Sequence, residues 1–225
     1  MEVFGGAGWL LFAKEPSAKE VFNDYDSNLM NFWKVVKEKP IEFIESFEWM
    51  LISRDVFNKY KEIYKNGNYK DEIHQAHVFY YLVKSGFGAD MKSPSFGTGK
   101  RRNGLKIEDI EKDILETAER LKNVELMNSS FEEVIEKHDN RDTFFFIDSP
   151  YRNTKGYAVG KFEDKQYELL YNLLKNTNGK WIYTINNDNF IRELFKEFNI
   201  RTNDVQYSVS NTTRKEFSEL IITNY

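Results

Sequence analysis

The sequence contains no cysteine, and this absence removes several kinds of protein from consideration. Without thiols there are no disulfide bonds, no cysteine-ligated zinc sites and no mechanism that uses a thiolate nucleophile. A chain without cysteine also suits a reducing compartment, and we therefore expect a cytoplasmic protein.

Long apolar runs and an N-terminal targeting signal are missing as well. No stretch approaches the roughly 18 uncharged apolar residues that a membrane-spanning helix needs. The chain opens with Met1-Glu2-Val3-Phe4 rather than with a basic and then apolar signal, so we expect no membrane partner. With 225 residues, 40% of them hydrophobic, the chain is long enough for one globular unit with a small inserted subdomain.

An overall excess of positive charge is also lacking. The formal net charge of −4 argues against a protein that coats nucleic acid. One segment is the exception, because residues 91–107 contain no acidic residue but several basic ones: Lys92, Lys100, Arg101, Arg102 and Lys106. This cationic loop is either a contact for phosphates or an ordinary solvated basic loop.

Apolar periodicity predicts an alternation of strands and helices. Strands are expected at residues 3–4, 20–22, 124–127, 143–147 and 181–185, and an antiparallel pair at residues 205–209 and 217–223. This order is typical of an α/β fold with a mainly parallel sheet that ends in a C-terminal antiparallel hairpin. Residues 39–121 have helical periodicity and are predicted to be a helical insertion into a main domain formed by residues 1–38 and 122–225.

Three suggestive segments each follow a predicted strand: Gly5-Gly6-Ala7-Gly8, Asn23-Asp24 and Asp148-Ser149-Pro150-Tyr151. Ligands of such sheets bind beyond the carboxyl ends of the strands, so these segments are expected to converge on one crevice. A glycine turn followed roughly 20 residues later by an acid predicts an adenosine-type cofactor, either a dinucleotide or S-adenosylmethionine. Taken singly, the glycines could form an ordinary turn and Asp24 could cap a helix.

The segment Asp148-Ser149-Pro150-Tyr151 resembles the fourth motif of the amino-methyltransferases, Asp/Asn/Ser-Pro-Pro-Tyr/Phe/Trp. Other segments resemble, in the same order, the Dam-type (D12 class) DNA adenine N6-methyltransferases. They are Glu2-Val3-Phe4-Gly5-Gly6-Ala7-Gly8, Asn23-Asp24-Tyr25-Asp26, Ser129-Ser130-Phe131, Thr184-Ile185-Asn186-Asn187, Asn211-Thr212-Thr213-Arg214 and Glu219-Leu220. The resemblance spans almost the whole chain.

This resemblance implies a Rossmann-like class I methyltransferase sheet with a helical target-recognition insertion. It also implies S-adenosylmethionine as cofactor, double-stranded DNA as partner, no metal, and a monomer from a restriction-modification system or a phage. Cytosine-5 methylation is excluded, because that reaction proceeds through a cysteine adduct.

The chemistry of the reaction explains the residues of the fourth motif. An adenine N6 amine is a poor nucleophile, because its lone pair is delocalised into the ring. The Asp148 carboxylate and the Ser149 backbone carbonyl are candidate acceptors for its two N–H bonds, and Pro150 continues the turn. The nitrogen would then attack the sulfonium methyl directly. Tyr151 is the candidate platform on which a flipped adenine stacks, although packing in the core is the alternative for this ring.

Further site residues follow from the resemblance alone. The candidate cofactor residues are Phe4, Gly6 and Gly8 at the methionine part, Asp24 at the ribose, Tyr25, Ser130 and Phe131 at the adenine, and Asp148. For Phe131, a core position is an equally open alternative. The candidate DNA contacts are Lys92, Lys100, Arg101, Arg102 and Arg214, whereas we interpret His74 and His77 as structural or surface residues.

Two departures from the family pattern bear on activity. Ser149 stands where the family has the first proline, which loses a fixed φ, and we expect reduced activity from it. The family also carries a segment with a proline, a lysine and a glycine-rich turn before the cofactor loop, and we expect this chain to lack it. No family-like recognition turn is evident in residues 86–96, so the target sequence GATC is not carried over.

Two other functions compete with an active methyltransferase. A catalytically weak or silent relative would bind DNA without transferring a methyl group. A nucleotide-dependent oxidoreductase is disfavoured, because it leaves residues 148–151 unexplained.

Overall fold

The computed structural model describes residues 1–97, 107–154, 156, 159–206 and 216–225. The helices are α1 (Trp9–Ala13), α2 (Ser27–Glu38), α3 (Pro40–Glu45), α4 (Arg54–Asn66), α5 (Glu72–Ser85), α6 (Ile107–Leu121), α7 (Phe131–His138), α8 (Asp164–Asn176) and α9 (Asn189–Leu194). The strands are β1 (Glu20–Asn23), β2 (Val124–Met127), β3 (Phe144–Asp148), β4 (Lys180–Asn186), β5 (Asn199–Gln206) and β6 (Glu216–Thr223). The mixed α/β order expected from the sequence is confirmed.

A sheet with the strand order β3-β4-β6-β5 forms the largest element of regular structure that the described residues contain. β3 and β4 run parallel, with Asp148 at the end of β3 opposite Thr184. β6 pairs antiparallel with both β4 and β5. The closing antiparallel pair is therefore present, although β5 begins at Asn199 instead of at the expected residue 205. The predicted turn at residues 211–215 lies outside the described residues.

The first residues of the chain extend the parallel part of this sheet. Glu2 forms parallel bridges to both Phe22 and Phe146. The Val3 amide donates to the Phe146 carbonyl at 3.1 Å, and the Phe146 amide donates to the Met1 carbonyl at 2.8 Å. The expected first strand is thus a short segment that lies between β1 and β3. The carboxyl ends of these parallel segments lie at one edge, where the predicted site residues follow them.

The contacts divide the chain into two compact units. The first unit comprises Met1–Lys14, Val21–Tyr25 and Ser129–Tyr225, and it contains the sheet. The second unit comprises Glu15–Glu20 and Asp26–Asn128 and is mainly helical. None of the helices in the described part of the chain is long and apolar enough to cross a bilayer.

Burial alternates along β4, so neighbouring residues of this strand reach the site from opposite faces of the sheet. Trp181, Tyr183 and Ile185 are fully buried, whereas Thr184 and Asn186 are only half-buried. Successive side chains of a strand point to opposite faces, so Trp181, Tyr183 and Ile185 share the buried face of β4, and Thr184 and Asn186 lie with Ile182 on the other. Tyr183 on the buried face contacts Ser149, and Thr184 on the other face contacts Asp148.

The helical unit is built around a buried aromatic cluster that includes one histidine. His77 is buried, its ring is stacked on Phe47 with 4.0 Å between centroids, and its Nδ1 lies 2.9 Å from Ser46 Oγ. Its Nε2 lies 3.1 Å from the Tyr60 hydroxyl. Burial, with a smaller contribution from the charge of His74, lowers the pKa of His77 to about 4. His77 is therefore a neutral structural histidine at physiological pH, as interpreted from the sequence.

Candidate active site

The glycine turn after the first segment is held against the end of β1. The Gly5 amide donates to the Asn23 carbonyl at 2.7 Å, and the Gly6 amide donates to Asp24 Oδ2 at 2.9 Å. Gly6 and Gly8 have φ values of 53° and 72°, which favour glycine. A Cβ on Gly6 would meet nothing within 4 Å, so open space borders this backbone.

Asp24 belongs to this turn and does not cap a helix. The N-cap of α2 is Asp26, whose carboxylate accepts the Asn28 and Leu29 amides. The helix-cap alternative for Asp24 is therefore wrong. Its carboxylate instead lies beside the Gly6 backbone, as a ribose-binding acid would require.

Asn23 joins the end of β1 to the start of α7. Its side-chain amide donates to the Val3 carbonyl at 2.9 Å and to the Ser129 carbonyl at 3.1 Å. Its Oδ1 accepts the Ser129 amide at 3.0 Å. These bonds bring the first and third predicted cofactor segments together, because Ser130 follows directly and caps α7 by accepting the Glu133 amide.

Three aromatic rings gather beside these segments. Phe4 lies 5.7 Å from Phe131 and 5.8 Å from Phe162, and Phe131 and Phe162 are 5.5 Å apart. Phe131 is 8% exposed, so it is a core residue of this unit as well as a neighbour of Phe4. Tyr25, by contrast, is 62% exposed and extends into solvent.

Asp148 ends β3 at the edge of the sheet to which the glycine turn also belongs. The Thr184 hydroxyl donates to Asp148 Oδ1 at 2.9 Å, and no described residue donates to Oδ2. Asp148 keeps access to solvent, yet it is surrounded by enough protein to lose part of its hydration. This desolvation raises the pKa of Asp148, the Thr184 hydrogen bond opposes the rise, and the charge of Glu219 adds to it.

Each of the next three residues is held by a different tyrosine contact. The Ser149 hydroxyl lies 2.9 Å from the hydroxyl of Tyr183. The Pro150 carbonyl accepts the Tyr167 hydroxyl of α8 at 2.8 Å. The Tyr151 hydroxyl itself donates to the Glu219 carboxylate of β6 at 2.6 Å. The segment 148–151 is thereby fixed by side chains from β4, from β6 and from α8.

Arg152 follows residues 148–151, which we call the anchored segment, and is itself held by several hydrogen bonds. Its amide donates to Asn186 Oδ1 at 2.8 Å, and its guanidinium makes a bidentate contact with Asp164 at 2.9 and 3.0 Å. The guanidinium also contacts Asp188 at 3.2 Å and lies over the Phe190 ring, 4.6 Å from its centroid. Because two carboxylates already neutralise it, Arg152 is an anchor of the loop and a poor candidate for binding phosphate.

A cavity opens beside the anchored segment. Its volume is about 480 Å³, and its walls include Pro150, Tyr151, Arg152 and Phe162. Phe162 therefore contributes both to this cavity and to the aromatic cluster of Phe4 and Phe131. A purine base would fit in a cavity of this size.

The candidate DNA contacts are mostly beyond what the structure describes. Lys92 is exposed, and its amide donates to Asp90 Oδ1 at 3.0 Å. The other candidates, Lys100, Arg101, Arg102 and Arg214, lie outside the described residues. In the described ranges, no group of three or more histidine, aspartate and glutamate side chains could hold a metal ion.

Several residues of the site escaped the sequence interpretation, although two of them lie in segments quoted for the resemblance. Thr184 carried a signal, because it is a polar residue between the apolar residues Tyr183 and Ile185, and Glu219 carried one because it directly precedes the apolar run Leu220-Ile221-Ile222. Tyr183 carried none, because a buried tyrosine in a strand is indistinguishable from ordinary core. Phe162 and Tyr167 also lacked a signal, since only the folded loop brings them to the site.

A mixed α/β sheet with an acid-Ser-Pro-Tyr segment at the carboxyl end of a parallel strand fits a methyltransferase fold. The sequence model of the D12 class N6 adenine-specific DNA methyltransferases matches residues 1–209. The chain belongs to this family, whose activity is methylation of DNA at adenine N6.

Two type II methyltransferases are among its relatives. The chain is 27% identical to the type II methyltransferase M1.LlaDCHI of Lactococcus lactis subsp. cremoris over 256 residues, which cover all of this chain and 85% of the relative. It is 26% identical to the type II methyltransferase M.CviBI of Paramecium bursaria Chlorella virus NC1A, over 85% of this chain and 74% of the relative.

Proposed function

We propose that this protein is a Dam-type enzyme that transfers a methyl group from S-adenosylmethionine to N6 of a flipped adenine, at a specific short site in duplex DNA. The observation that carries the proposal is the anchored segment 148–151. Asp148 is bound by Thr184 and Tyr151 by Glu219, so an acceptor and an aromatic ring are both held at the end of β3. Such fixed geometry is what a reaction between two bound partners requires.

The residues around the glycine turn fit S-adenosylmethionine. The Asp24 carboxylate suits the hydroxyls of a ribose, and the open space beside Gly6 lets a ligand approach the backbone closely. Phe4, Phe131 and Tyr25 offer apolar surface for the adenine and the methionine chain, and Ser130 and Gly8 complete the set. When bound, the cofactor supplies an electrophilic methyl group on a sulfonium.

Asp148 is proposed as the acceptor of a hydrogen bond from the N6 amine. Its Oδ2 is the atom to which no described residue donates, so this oxygen is available to a substrate while Thr184 holds Oδ1. The Ser149 carbonyl is the proposed second acceptor. As the new N–C bond forms and the S–C bond breaks, the nitrogen must lose a proton. The raised pKa of Asp148 suits that carboxylate to receive the proton.

Tyr151 is proposed to stack on the flipped base. The cavity beside Tyr151 and Pro150 has the volume for an adenine. The hydroxyl bond to Glu219 fixes the position of the far end of the Tyr151 side chain and so restricts rotation about χ1, which lowers the entropy cost of stacking.

Recognition of DNA is assigned to residues 39–121, which the sequence predicts as a helical insertion, with residues 1–38 and 122–225 as a Rossmann-like catalytic domain. Lys92, Lys100, Arg101, Arg102 and Arg214 are the proposed phosphate contacts. The enzyme is proposed to act as a monomer.

Transfer of a labelled methyl group from S-adenosylmethionine to unmethylated duplex DNA tests this function, with identification of the methylated nucleoside. We expect N6-methyladenine with the wild-type protein and none with Asp148→Ala. Glu197→Ala is the control, because it removes a carboxylate that pairs with Lys175 on the surface and does not line the cavity beside Pro150 and Tyr151. DNA binding without methyl transfer by the wild type would support the silent relative instead, and transfer retained in Asp148→Ala would contradict the assigned acceptor.

A further inference from the structure

We infer that Tyr183 is a positioning residue of the catalytic turn, and that its hydrogen bond to Ser149 does the work of a rigid backbone at this point. This inference rests on the proposed function, because it concerns the orientation of the Ser149 carbonyl. Tyr183 does not touch the substrate and acts only through Ser149.

The side chains of Ser149 and Tyr183 are both buried. Ser149 is 1% exposed and Tyr183 is fully buried, with 2.9 Å between the two hydroxyl oxygens. Tyr183 is in register with Ile147 on the parallel ladder, so its ring lies one residue before the turn and its hydroxyl reaches forward to Ser149. A hydroxyl buried this deeply needs a partner, and the sequence provides one for each of the two groups.

The bond acts on the backbone at the start of the turn, where the family has a proline and this chain has Ser149. Serine has no ring to fix φ, and Pro150 only excludes the helical region for Ser149, so the side-chain bond adds a restraint that a proline at this position would have carried in its ring. When Tyr183 donates, the Ser149 hydroxyl hydrogen is directed to the Pro150 carbonyl at 3.4 Å. The Tyr167 hydroxyl meets the same carbonyl at 2.8 Å from the helix side. Tyr183, Ser149 and Tyr167 thus hold the Pro150 peptide from two directions.

The Tyr183 hydroxyl is suited to this role at any physiological pH. Burial raises the pKa of Tyr183 far above its ordinary value, and the hydrogen bond to Ser149 only partly opposes that effect. The phenol consequently stays neutral and keeps its proton for the bond. Positioning through Tyr183 is therefore expected to be independent of pH over the range in which Asp148 titrates.

A positioning role and a merely stabilising role make different predictions for kinetics. Displacement of the Ser149 carbonyl should lower kcat and leave cofactor binding unchanged. The hydrogen bond of Tyr183 is to Ser149 and not to the glycine turn or to Asp24, which are the proposed cofactor residues. A general loss of stability would instead reduce the fraction of folded protein and would leave kcat per folded molecule intact.

Four variants of the full chain separate these cases: Tyr183→Phe, Ser149→Ala, the double variant of these two, and Tyr183→Phe combined with Ser149→Pro. We expect each single variant to lower kcat by about tenfold, the effect of one hydrogen bond. KM for DNA and the Kd for S-adenosylmethionine should stay within about twofold of wild type. The double variant should be no worse than either single variant, because both remove the same bond.

The variant with proline supplies the decisive result. A proline ring restricts φ at residue 149 without help from Tyr183. We therefore expect Ser149→Pro to restore most of the kcat that Tyr183→Phe loses. Tyr171→Phe is the control, because its hydroxyl contacts Glu197 on the surface and its loss should leave kcat unchanged.

Three results would overturn the inference: wild-type kcat in Tyr183→Phe, additive losses in the double variant, or failure of proline to rescue. If the wild-type protein itself transfers no methyl group, the proposed function fails, and this inference fails with it. An active wild type beside an unaffected Tyr183→Phe rejects the inference alone.

Discussion

Thr184 donates its hydroxyl to Oδ1 of Asp148 at 2.9 Å, across the parallel ladder that pairs these two residues. The bond leaves Oδ2 for a substrate and favours the charged form of the carboxylate. Desolvation and the charge of Glu219 raise the pKa of Asp148, whereas the Thr184 hydrogen bond lowers it, so the balance among these effects sets the protonation of the proposed acceptor.

Thr184→Val should move the acidic limb of the pH–rate profile to higher pH. The Thr184 hydrogen bond lowers the pKa of Asp148, whereas desolvation raises it. Loss of the hydroxyl removes the lowering effect, so the pKa rises further. Since a hydrogen bond to a charged group contributes about 1.5 kcal/mol or more, the shift should be roughly one pH unit. Thr184→Ser, which keeps the hydroxyl, should retain the wild-type profile. An unchanged limb in the valine variant would show that the limb reports another group.

Asp148→Asn should abolish activity and yet raise stability at neutral pH. We expect methyl transfer to fall by roughly a hundredfold or more, as for loss of one preorganised polar contact at a reacting centre. The pKa of Asp148 is raised in the folded state, so the folded protein binds a proton more readily than the unfolded chain. Ionisation therefore costs stability above the folded pKa and costs none below the ordinary value of 3.8.

Thermal unfolding measured as a function of pH checks this sign. The melting temperature of Asp148→Asn should exceed that of wild type at pH 7, and the difference should shrink as the pH is lowered through the folded pKa. A variant less stable than wild type at pH 7 would mean that Asp148 contributes a favourable interaction beyond the Thr184 bond.

Tyr151→Phe should be a mild change and Tyr151→Ala a severe one. The phenylalanine variant keeps the ring and loses the hydroxyl with its 2.6 Å bond to Glu219, for which we expect about a tenfold lower kcat/KM. The alanine variant also loses the stacking surface, which is typically worth about 1–3 kcal/mol for each base. Steady-state kinetics with duplex DNA distinguishes the two. Equal losses in both variants would assign the role of Tyr151 to its hydroxyl alone.

His77 should make the protein sensitive to acid. Its pKa is lowered from 6.5 to about 4, so the unfolded chain takes up a proton that the folded protein refuses between these values. The stabilisation that neutral His77 provides is complete above pH 6.5, the ordinary pKa of histidine, and it is lost as the pH falls towards 4. The total loss in unfolding free energy is about 3 kcal/mol.

Denaturant unfolding of the wild type and of His77→Gln between pH 7.5 and 4 measures this contribution. Glutamine retains hydrogen-bonding groups for Ser46 and Tyr60 but does not titrate in this range. The difference in unfolding free energy between the two proteins should therefore fall with pH. Parallel pH profiles would exclude His77 as the source of the acid sensitivity.

Gly5 and Gly6 should respond differently to alanine. A Cβ on Gly5 would lie 2.4 Å from the Phe22 ring, which must move, and we expect a loss of about 1–3 kcal/mol in unfolding free energy. A Cβ on Gly6 meets no atom within 4 Å but occurs at a φ of 53°, so about 1 kcal/mol of backbone strain is expected. Cofactor binding should suffer in Gly6→Ala, because the new methyl fills the open space. Calorimetric titration with S-adenosylmethionine would reveal unaltered affinity if that space is not the site.

Much of the fold follows from local pattern. The run Phe144-Phe145-Phe146-Ile147 predicted a strand, and β3 is there, but the expected burial on both faces is wrong, because Phe144 is 42% exposed and Phe146 is only half-buried. The helix from Ile107 to Leu121 followed from its periodicity. β5 was predicted to begin too late, because Asn199-Ile200-Arg201-Thr202 carries little apolar signal and is ordered by its long pairing with β6. Long-range pairing of this kind is invisible to a local pattern.

The site was only partly predictable, for a related reason. Residues 148–151 and Asp24 were identified by type and order along the chain. Tyr183 and Tyr167 act through hydroxyl groups whose partners are far away in sequence, and neither residue type nor spacing distinguishes them from core aromatics. The distinction between Asp24 and Asp26 likewise required knowledge of which acid accepts the amides of α2.

The short segment at residues 1–3 joins strands that are distant along the chain, since Glu2 meets both Phe22 and Phe146. Such pairing has to wait until β3 has been synthesised, because hydrogen bonds to Phe146 cannot form before that residue leaves the ribosome. Chains dominated by contacts of this separation fold slowly for their size. The middle of the sheet should consequently close late during biosynthesis, and until then the apolar residues of β1 and of the first segment remain available to chaperones or to aggregation.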